Sequence, residues 1–432
     1  MPRRVTIVPS SMKASRLIIT ALVAALPVSS ALAGENGFTS SVTSLVTRSA
    51  PSGKLATLTE IVAERREPAM ITASSIRAMD AAIAMYEDIN NRGGWPSLAK
   101  RLQKGDNSSE VIMLRQRLAL EGYLRTESLA IATPQRFDED VKAAVKAFQS
   151  NHGLAPTGKV DDRTLAEFNV PAANRLETLR ANRLRVEMYA KGLGPKYILV
   201  NIPSAQLEAV NAGTVYSRHN IVVGKLDNPS PTVLSKVSEI NFNPYWNVPA
   251  SIAAHEIIPK LNRDPNTLAA MHMRVFDGYN GPELDPMNID WTTAASDRFF
   301  FRQDPGEQNA LGTVKINFPN PFNVYLHDTP AKALFGQNAR YESHGCIRVD
   351  QIDTLIDWIF SGQDGFDANA IEEIEASGER IDQAVRNPPD VRIMYLTAWA
   401  TDDGRIQFRP DVYNLDHTGF VLGQPEPQSA MN

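Results

Sequence analysis

One thiol and two imidazoles share the stretch YLHDTPAKALFGQNARYESHGCIRVD, residues 325–350. Cys346 is the only cysteine among 432 residues, and His327 and His344 are two of seven histidines. The grouping points to nucleophilic catalysis. A free cysteine titrates near pH ~8.5, and a neighbouring imidazolium lowers that by several units and leaves thiolate at neutral pH. His344 stands two residues from Cys346, on the same face if the chain is extended. His327 stands 19 residues before it and follows the strand-like run Asn323–Leu326, so it can enter from a separate element. Spacing alone leaves both histidines open as the base. Gly345 permits a tight turn that aims its own N–H and that of Cys346 inward as oxyanion donors. Tyr325, two residues before His327, points to the same side of a strand and lines the cleft. The bland alternative for a lone cysteine is a small buried hydrophobe, and the two histidines beside it argue against that.

Compartment sharpens the point. Arg3, Arg4, Lys13 and Arg16 precede a short apolar run from Leu17, which is broken by Pro27 and followed by Ala31-Leu32-Ala33. This is the pattern of a secretory signal, residues 1–33, cut after Ala33. A start at Met12 would give a more ordinary signal length. Exported proteins usually pair their cysteines, and one left over indicates a reactive thiol or an intermolecular bridge. Removing the four basic residues of 1–33 moves the net charge from −5 to −9. That disfavours nucleic acid as a partner. Substrate contacts then fall to local groups such as Arg340 and Arg348, each of which could equally serve as a structural ion-pair partner.

Other motifs lead nowhere. His255-Glu-Ile-Ile-Pro259 begins like a zinc-protease helix but lacks the second histidine, so no metal is expected. Ser97-Leu-Ala-Lys100 has the Ser-x-x-Lys form without a Lys-Thr-Gly partner. No phosphate-binding loop or dinucleotide fingerprint occurs, and no cofactor is expected.

The supporting elements can be placed by periodicity. Residues 34–99 form an N-terminal helical scaffold region, in which Ile76, Met79, Ile83 and Tyr86 share a helical face that stops at Gly93-Gly94. Trp95 in the following segment suits core packing better than glycan stacking. Residues 100–170 hold three helices. Asn107 and Glu110 make a capping box, Val111, Leu114 and Leu118 a stripe, and Val141, Val145 and Phe148 a second one closed by Gly153. Leu165 and Phe168 mark the third helix. A scaffold helix follows at 171–195, with Leu176, Leu179 and Leu184 as packing residues. From Lys196 the period changes to that of strands, with hairpin turns at Ala212-Gly213 and Asp403-Gly404. Ile352, Leu355, Ile356 and Ile359 mark a helix after Cys346, and "RIMYLTAW" and "RIQFRP" read as a late strand pair. The fold class is α+β and multidomain, with a mostly-β domain at 196–416, peripheral helices, and a flexible tail at 417–432.

The motif HDTPAKALFGQNARYESHGCIRV resembles the signature of the L,D-transpeptidases with a YkuD-type catalytic domain. Phe242–Ile252, Phe301–Pro330 and Met394–Tyr413 resemble the large Gram-negative subgroup, as does Met85–Leu98. Residues 102–168 resemble the peptidoglycan-binding domain type 1. The resemblance implies Cys346 as nucleophile and His327 as base, oriented by a carbonyl at Asp328. It makes His344 and Ser343 site-shaping residues and Arg348 a substrate or scaffold contact. It implies that the insert at about 247–301 forms a lid over the cleft.

On this reading the protein is an exported, periplasmic cysteine L,D-transpeptidase and a target of carbapenems. Cys346 attacks the carbonyl after the third residue of a tetrapeptide stem and expels the terminal D-alanine. The acceptor stays open between a second peptidoglycan stem, water, and a protein amine such as that of an outer-membrane protein. The last two would make a carboxypeptidase or an anchoring ligase. A non-enzymatic alternative is a wall-binding scaffold built on residues 102–168.

Overall fold

In the computed structural model, residues 60, 61, 67–293, 297–363, 365, 366 and 368–416 are described. The expected signal at 1–33 and the tail at 417–432 lie outside them. Among the described residues no helix is long and apolar enough to cross a membrane.

The clearest strand signals form an antiparallel meander of Lys196–Asn201, Gln206–Asn211 and Thr214–Gly224. Its second turn places Ala212 and Gly213 at φ +48° and +82°, the left-handed pair that a tight hairpin of twisted strands requires. Seven more strands continue the path. Beyond Thr214–Gly224 come Ile347–Val349, Leu326–His327, Val314–Asn317, Glu239–Phe242 and Ile381–Ala384. Beyond Lys196–Asn201 come Asp390–Met394 and Val233–Lys236. Pairing is mixed, with Leu326–His327 parallel to Ile347–Val349 and Asp390–Met394 parallel to Lys196–Asn201. The anticipated late strand pair is divided. Asp390–Met394 enters the large sheet, while Ala398–Ala400 alone pairs with Ile406–Phe408.

Alternation along these strands sends one set of side chains inward. Ile198, Leu207, Ile221, Ile240, Ile316, Leu326 and Ile347 are fully buried, in one cluster with Ile352, Leu355, Ile356 and Ile359 of the helix Ile352–Phe360. Burying such side chains contributes about 1.5–3 kcal/mol each. This packing fixes the face on which the remaining, polar set must stand.

The helices Ser75–Asn91 and Ala172–Ala190 share a second core that contains Met79, Ala82, Tyr86, Leu176, Leu179 and Tyr189. Leu184, expected to pack, is 57% exposed and faces outward. The three-helix unit comprises Ser109–Leu120, Glu139–Asn151 and Asp162–Phe168. Val111, Leu114, Leu118, Val141, Val145, Phe148 and Phe168 form its core. The Asn107–Glu110 capping box does not form. Ser108 occupies the cap without a side-chain bond, and the Glu110 carboxylate accepts the Ala99 N–H at 3.1 Å. Trp95 joins the two helical parts. Its indole N–H donates to Val170 O at 3.0 Å, and the Arg117 guanidinium lies 3.2 Å from its ring centroid.

The insert after Trp246 folds as a small unit with its own sheet. Strands Trp246–Asn247, Phe299–Gln303, Met273–Asp277 and Glu283–Leu284 lie in that order over a core of Val248, Ile257, Leu261, Leu268, Val275, Trp291 and Phe301. A short helical segment, Ala250–Leu261, carries a π turn at Ala253–Ile257 that includes His255 and Glu256.

Candidate active site

Cys346 and His327 approach through the parallel pair. Leu326 is in register with Ile347 and His327 with Arg348, and the Ile347 N–H donates to Tyr325 O at 3.1 Å. Because Leu326 and Ile347 go into the core, their neighbours in sequence take the opposite face. That face gathers Tyr325, His327, Cys346 and Arg348. It also receives Lys315, which is in register with His327 on the other side. The expected strand at Asn323–Leu326 is shorter than anticipated and runs only Leu326–His327. Asn320 is the reason, since its side chain accepts the Phe322 and Val324 N–H groups and donates to Val324 O, and Asn323 sits at φ +55°.

His327 is buried, and its Nδ1 lies 2.5 Å from Asp328 O. That carbonyl can only accept, so Nδ1 carries the proton and Nε2 keeps the lone pair a base needs. Burial, then the Arg348 guanidinium, hold the imidazole down at about 3. The Asp328 carboxylate is ion-paired with Lys332 and accepts the Thr313 N–H at 3.3 Å. Gly312 packs against it so closely that a Cβ there would lie 2.1 Å from Asp328 Oδ2, and its φ is +61°.

Cys346 is half-buried. Burial pushes its thiol up, opposed by the N–H and hydroxyl of Tyr325 and by the charges of Lys315 and Arg348. The sequence suggested a thiolate beside an imidazolium. Burial instead favours the neutral thiol and the neutral imidazole.

The turn before Cys346 is built by Ser343. Its hydroxyl accepts the Gly345 N–H at 3.1 Å and donates to Cys346 O at 2.6 Å. Gly345 has φ +108°, a conformation that glycine alone adopts cheaply. The expected Gly345 oxyanion donor is therefore already committed to Ser343. The Cys346 N–H makes no hydrogen bond to any described residue, and it is the donor left for an oxyanion.

His344 turns away to the insert, where its Nε2 meets Glu256 Oε1 at 2.8 Å. Arg340 is absorbed by the scaffold. Its guanidinium donates to the carbonyls of Ile221, Gln337 and Ala205 at 3.1, 2.8 and 3.0 Å, which removes it as a substrate contact. Arg348 remains available, since its Nε is buried and has no hydrogen-bond partner among the described residues.

Two residues were missed in the sequence. Lys315 lies 4.3 Å from the Tyr325 ring centroid. The only signal for it was a lysine between Val314 and Ile316, both fully buried, which alternation turns to the polar face. Trp246 acts on the Tyr325 hydroxyl, opposing the upward push of burial, an influence across the root of the insert that no local pattern encodes.

Comparison with known proteins agrees with this geometry. Residues 195–365 match the sequence model of the YkuD "L,D-transpeptidase catalytic domain", and residues 107–167 that of a "Putative peptidoglycan binding domain". A protein of Haemophilus influenzae named "Putative L,D-transpeptidase" is 32% identical over 220 residues, 51% of this chain and 44% of that protein. The chain thus spans less than half the length of that relative. Two crystal structures titled as L,D-transpeptidases are also similar. That from Xylanimonas cellulosilytica is 17% identical, covers 62% of this chain and 94% of its own, and has a TM-score of 0.20. That from Stackebrandtia nassauensis is 13% identical, covers 69% and 96%, and has a TM-score of 0.24. At such scores the fold rests on the chain's own geometry.

Proposed function

The chain carries an L,D-transpeptidase catalytic domain and a peptidoglycan-binding type domain, and from this premise we propose that it is an exported cysteine L,D-transpeptidase that remodels peptidoglycan in the periplasm. The observation that carries the proposal is the parallel pairing that sets His327 level with Arg348, two residues after Cys346, and so turns Cys346 and His327 to the same polar face. The pattern of residues 1–33 supports export.

His327 Nε2 takes the thiol proton as Sγ attacks the carbonyl after the third residue of a tetrapeptide stem. The Cys346 N–H stabilises the oxyanion. The C–N bond then breaks, the imidazolium protonates the departing D-alanine amine, and a thioester remains on Cys346. The acceptor amine attacks that thioester and gives its proton to His327, which returns it to the thiol. A second stem as acceptor gives a cross-link, water gives trimming, and a protein amine gives anchoring.

Intact-mass measurement after exposure to a carbapenem tests the nucleophile. Native protein should gain one adduct and Cys346→Ala none. Muropeptide analysis with a defined tetrapeptide donor tests the reaction, and cross-linked product formed by Cys346→Ala would overturn the proposal.

A further inference from the structure

Between the core sheet and the insert lies a cleft of about 290 Å³, lined by Asn247, Asn280, Tyr245, Arg302, Lys315 and Arg380 among others. No carboxylate is among its described lining residues, yet three cations are. Arg380 is paired with Asp382 at 2.5 Å. The other two are not. The side chains of Arg302 and Lys315 make no hydrogen bond or ion pair to any described residue, and the Arg302 Nε is buried without a partner.

Burying part of a guanidinium away from water with no acceptor costs free energy. The Arg302 guanidinium lies 4.7 Å from the Tyr245 ring centroid and 4.8 Å from that of Phe276, which holds it in place but satisfies none of its N–H donors. Packing on aromatic rings therefore accounts for its position and leaves its fork free. Lys315 reaches the same cleft from a different sheet.

Arg302 belongs to the insert, in register with Asn247. Lys315 belongs to the core, in register with His327, and its ammonium stands over the Tyr325 ring whose hydroxyl faces the Cys346 thiol. An anion held by both would bridge insert and core next to the nucleophile. A peptidoglycan stem offers such anions as free carboxylates.

We propose that Arg302 and Lys315 form one carboxylate subsite, which anchors a free carboxylate of a peptide stem while Cys346 reacts with a neighbouring carbonyl. The assignment rests on the preceding reading of the chain as acting on stem peptides. The shared chemistry is a carboxylate-bearing peptide, supplied by either the donor or the acceptor stem.

Binding without turnover separates this inference from the activity. Calorimetry on full-length Cys346→Ala compares a stem tetrapeptide with the same peptide amidated at its free carboxylates. Amidation should weaken binding about 10–100-fold, the scale of a charge-assisted hydrogen bond. Adding Arg302→Met or Lys315→Met should weaken the acid form to the level of the amide and leave the amide unchanged, with melting curves confirming that the variants fold. Equal binding of acid and amide by the parent overturns the subsite, as does an equal loss of both forms in the variants or no binding of either. Kinetics on the native enzyme then separate the sources: amidating the donor slows formation of the acyl-enzyme, whereas amidating the acceptor slows its consumption. A native enzyme that binds the acid form selectively but turns over no stem would instead count against the transpeptidase reading alone.

Discussion

His327 ends one strand and Cys346 immediately precedes its parallel neighbour, and burial acts on them in opposite senses, lowering the imidazole to about 3 and raising the thiol. Both changes favour the uncharged form at neutral pH. The resting site is a neutral pair, and His327 is ready as a base without first losing a proton.

The thiol should therefore react slowly with simple electrophiles at low pH. Alkylation of Cys346 by iodoacetamide is expected to climb steadily from pH 6 to pH 9, because the thiolate fraction grows only as the raised thiol value is approached. A rate already level by pH 6 would show an ion pair at rest and refute the neutral one.

The two histidines should separate by magnitude. His327→Ala removes the proton-transfer group and should lower carbapenem acylation by about 10²–10⁴-fold. His344→Ala breaks a pair with Glu256 whose side chains are 33% and 42% exposed, and such pairs contribute at most about 1 kcal/mol. Acylation should fall only a few-fold. In a double-mutant cycle with Glu256→Gln the two losses should not add. A larger loss for His344→Ala than for His327→Ala would exchange their roles.

How far the site could be read from the sequence follows from which interactions are local. Cys346, the turn at Gly345 and the core helix after it were legible, because thiol chemistry, glycine and a 3.6-residue stripe are properties of short segments. The core alternation that turns His327 and Cys346 to one face was legible for the same reason. Arg340 was misjudged because its partners are distant in sequence, Leu184 because it depends on the angle of a helix, and Gly345 as an oxyanion donor because the Ser343 hydroxyl takes its N–H. Arg340 is committed to Ala205 O, and the Asn323–Leu326 strand is cut short by Asn320. The missing Asn107–Glu110 box has the same origin, since Glu110 serves Ala99 instead. Lys315 and Arg302 were hidden because the cleft between them exists only once the insert lies on the sheet.

Acid stability should carry the mark of a second buried histidine. His219 is fully buried with Nε2 2.8 Å from Ser217 Oγ and Nδ1 2.9 Å from Asp350 O, and burial lowers it to about 4. Between that value and the usual ~6.5 the unfolded chain binds a proton that the native protein does not. Its contribution is thus complete above pH ~6.5 and is lost as pH falls towards 4, by about 3 kcal/mol. Urea unfolding of native protein and His219→Gln at pH 7 and pH 4.5 should show a smaller pH dependence in the variant. Equal pH dependence of the two would mean that His219 is not held neutral.

Gly312 lies 15 residues from His327 in sequence, yet its replacement should damage the base. A Cβ at Gly312 would sit 2.1 Å from Asp328 Oδ2 and 2.4 Å from Asp328 Cγ, so the Asp328 side chain must move, and φ +61° adds backbone strain of about 1–2 kcal/mol. Asp328 also supplies the carbonyl that orients His327 Nδ1. Gly312→Ala is therefore expected to lower carbapenem acylation by 10-fold or more, on the order of the 1.4 kcal/mol that one decade represents, while leaving the alkylation of Cys346 by iodoacetamide close to native. A Cβ at Gly312 would also lie 2.6 Å from Asp328 Cβ; Asp328→Gly keeps the carbonyl and removes all three clashing atoms, so the double variant Gly312→Ala/Asp328→Gly should acylate faster than Gly312→Ala alone. If the double variant is as slow as or slower than the single one, the contact with the Asp328 side chain is not what transmits the damage.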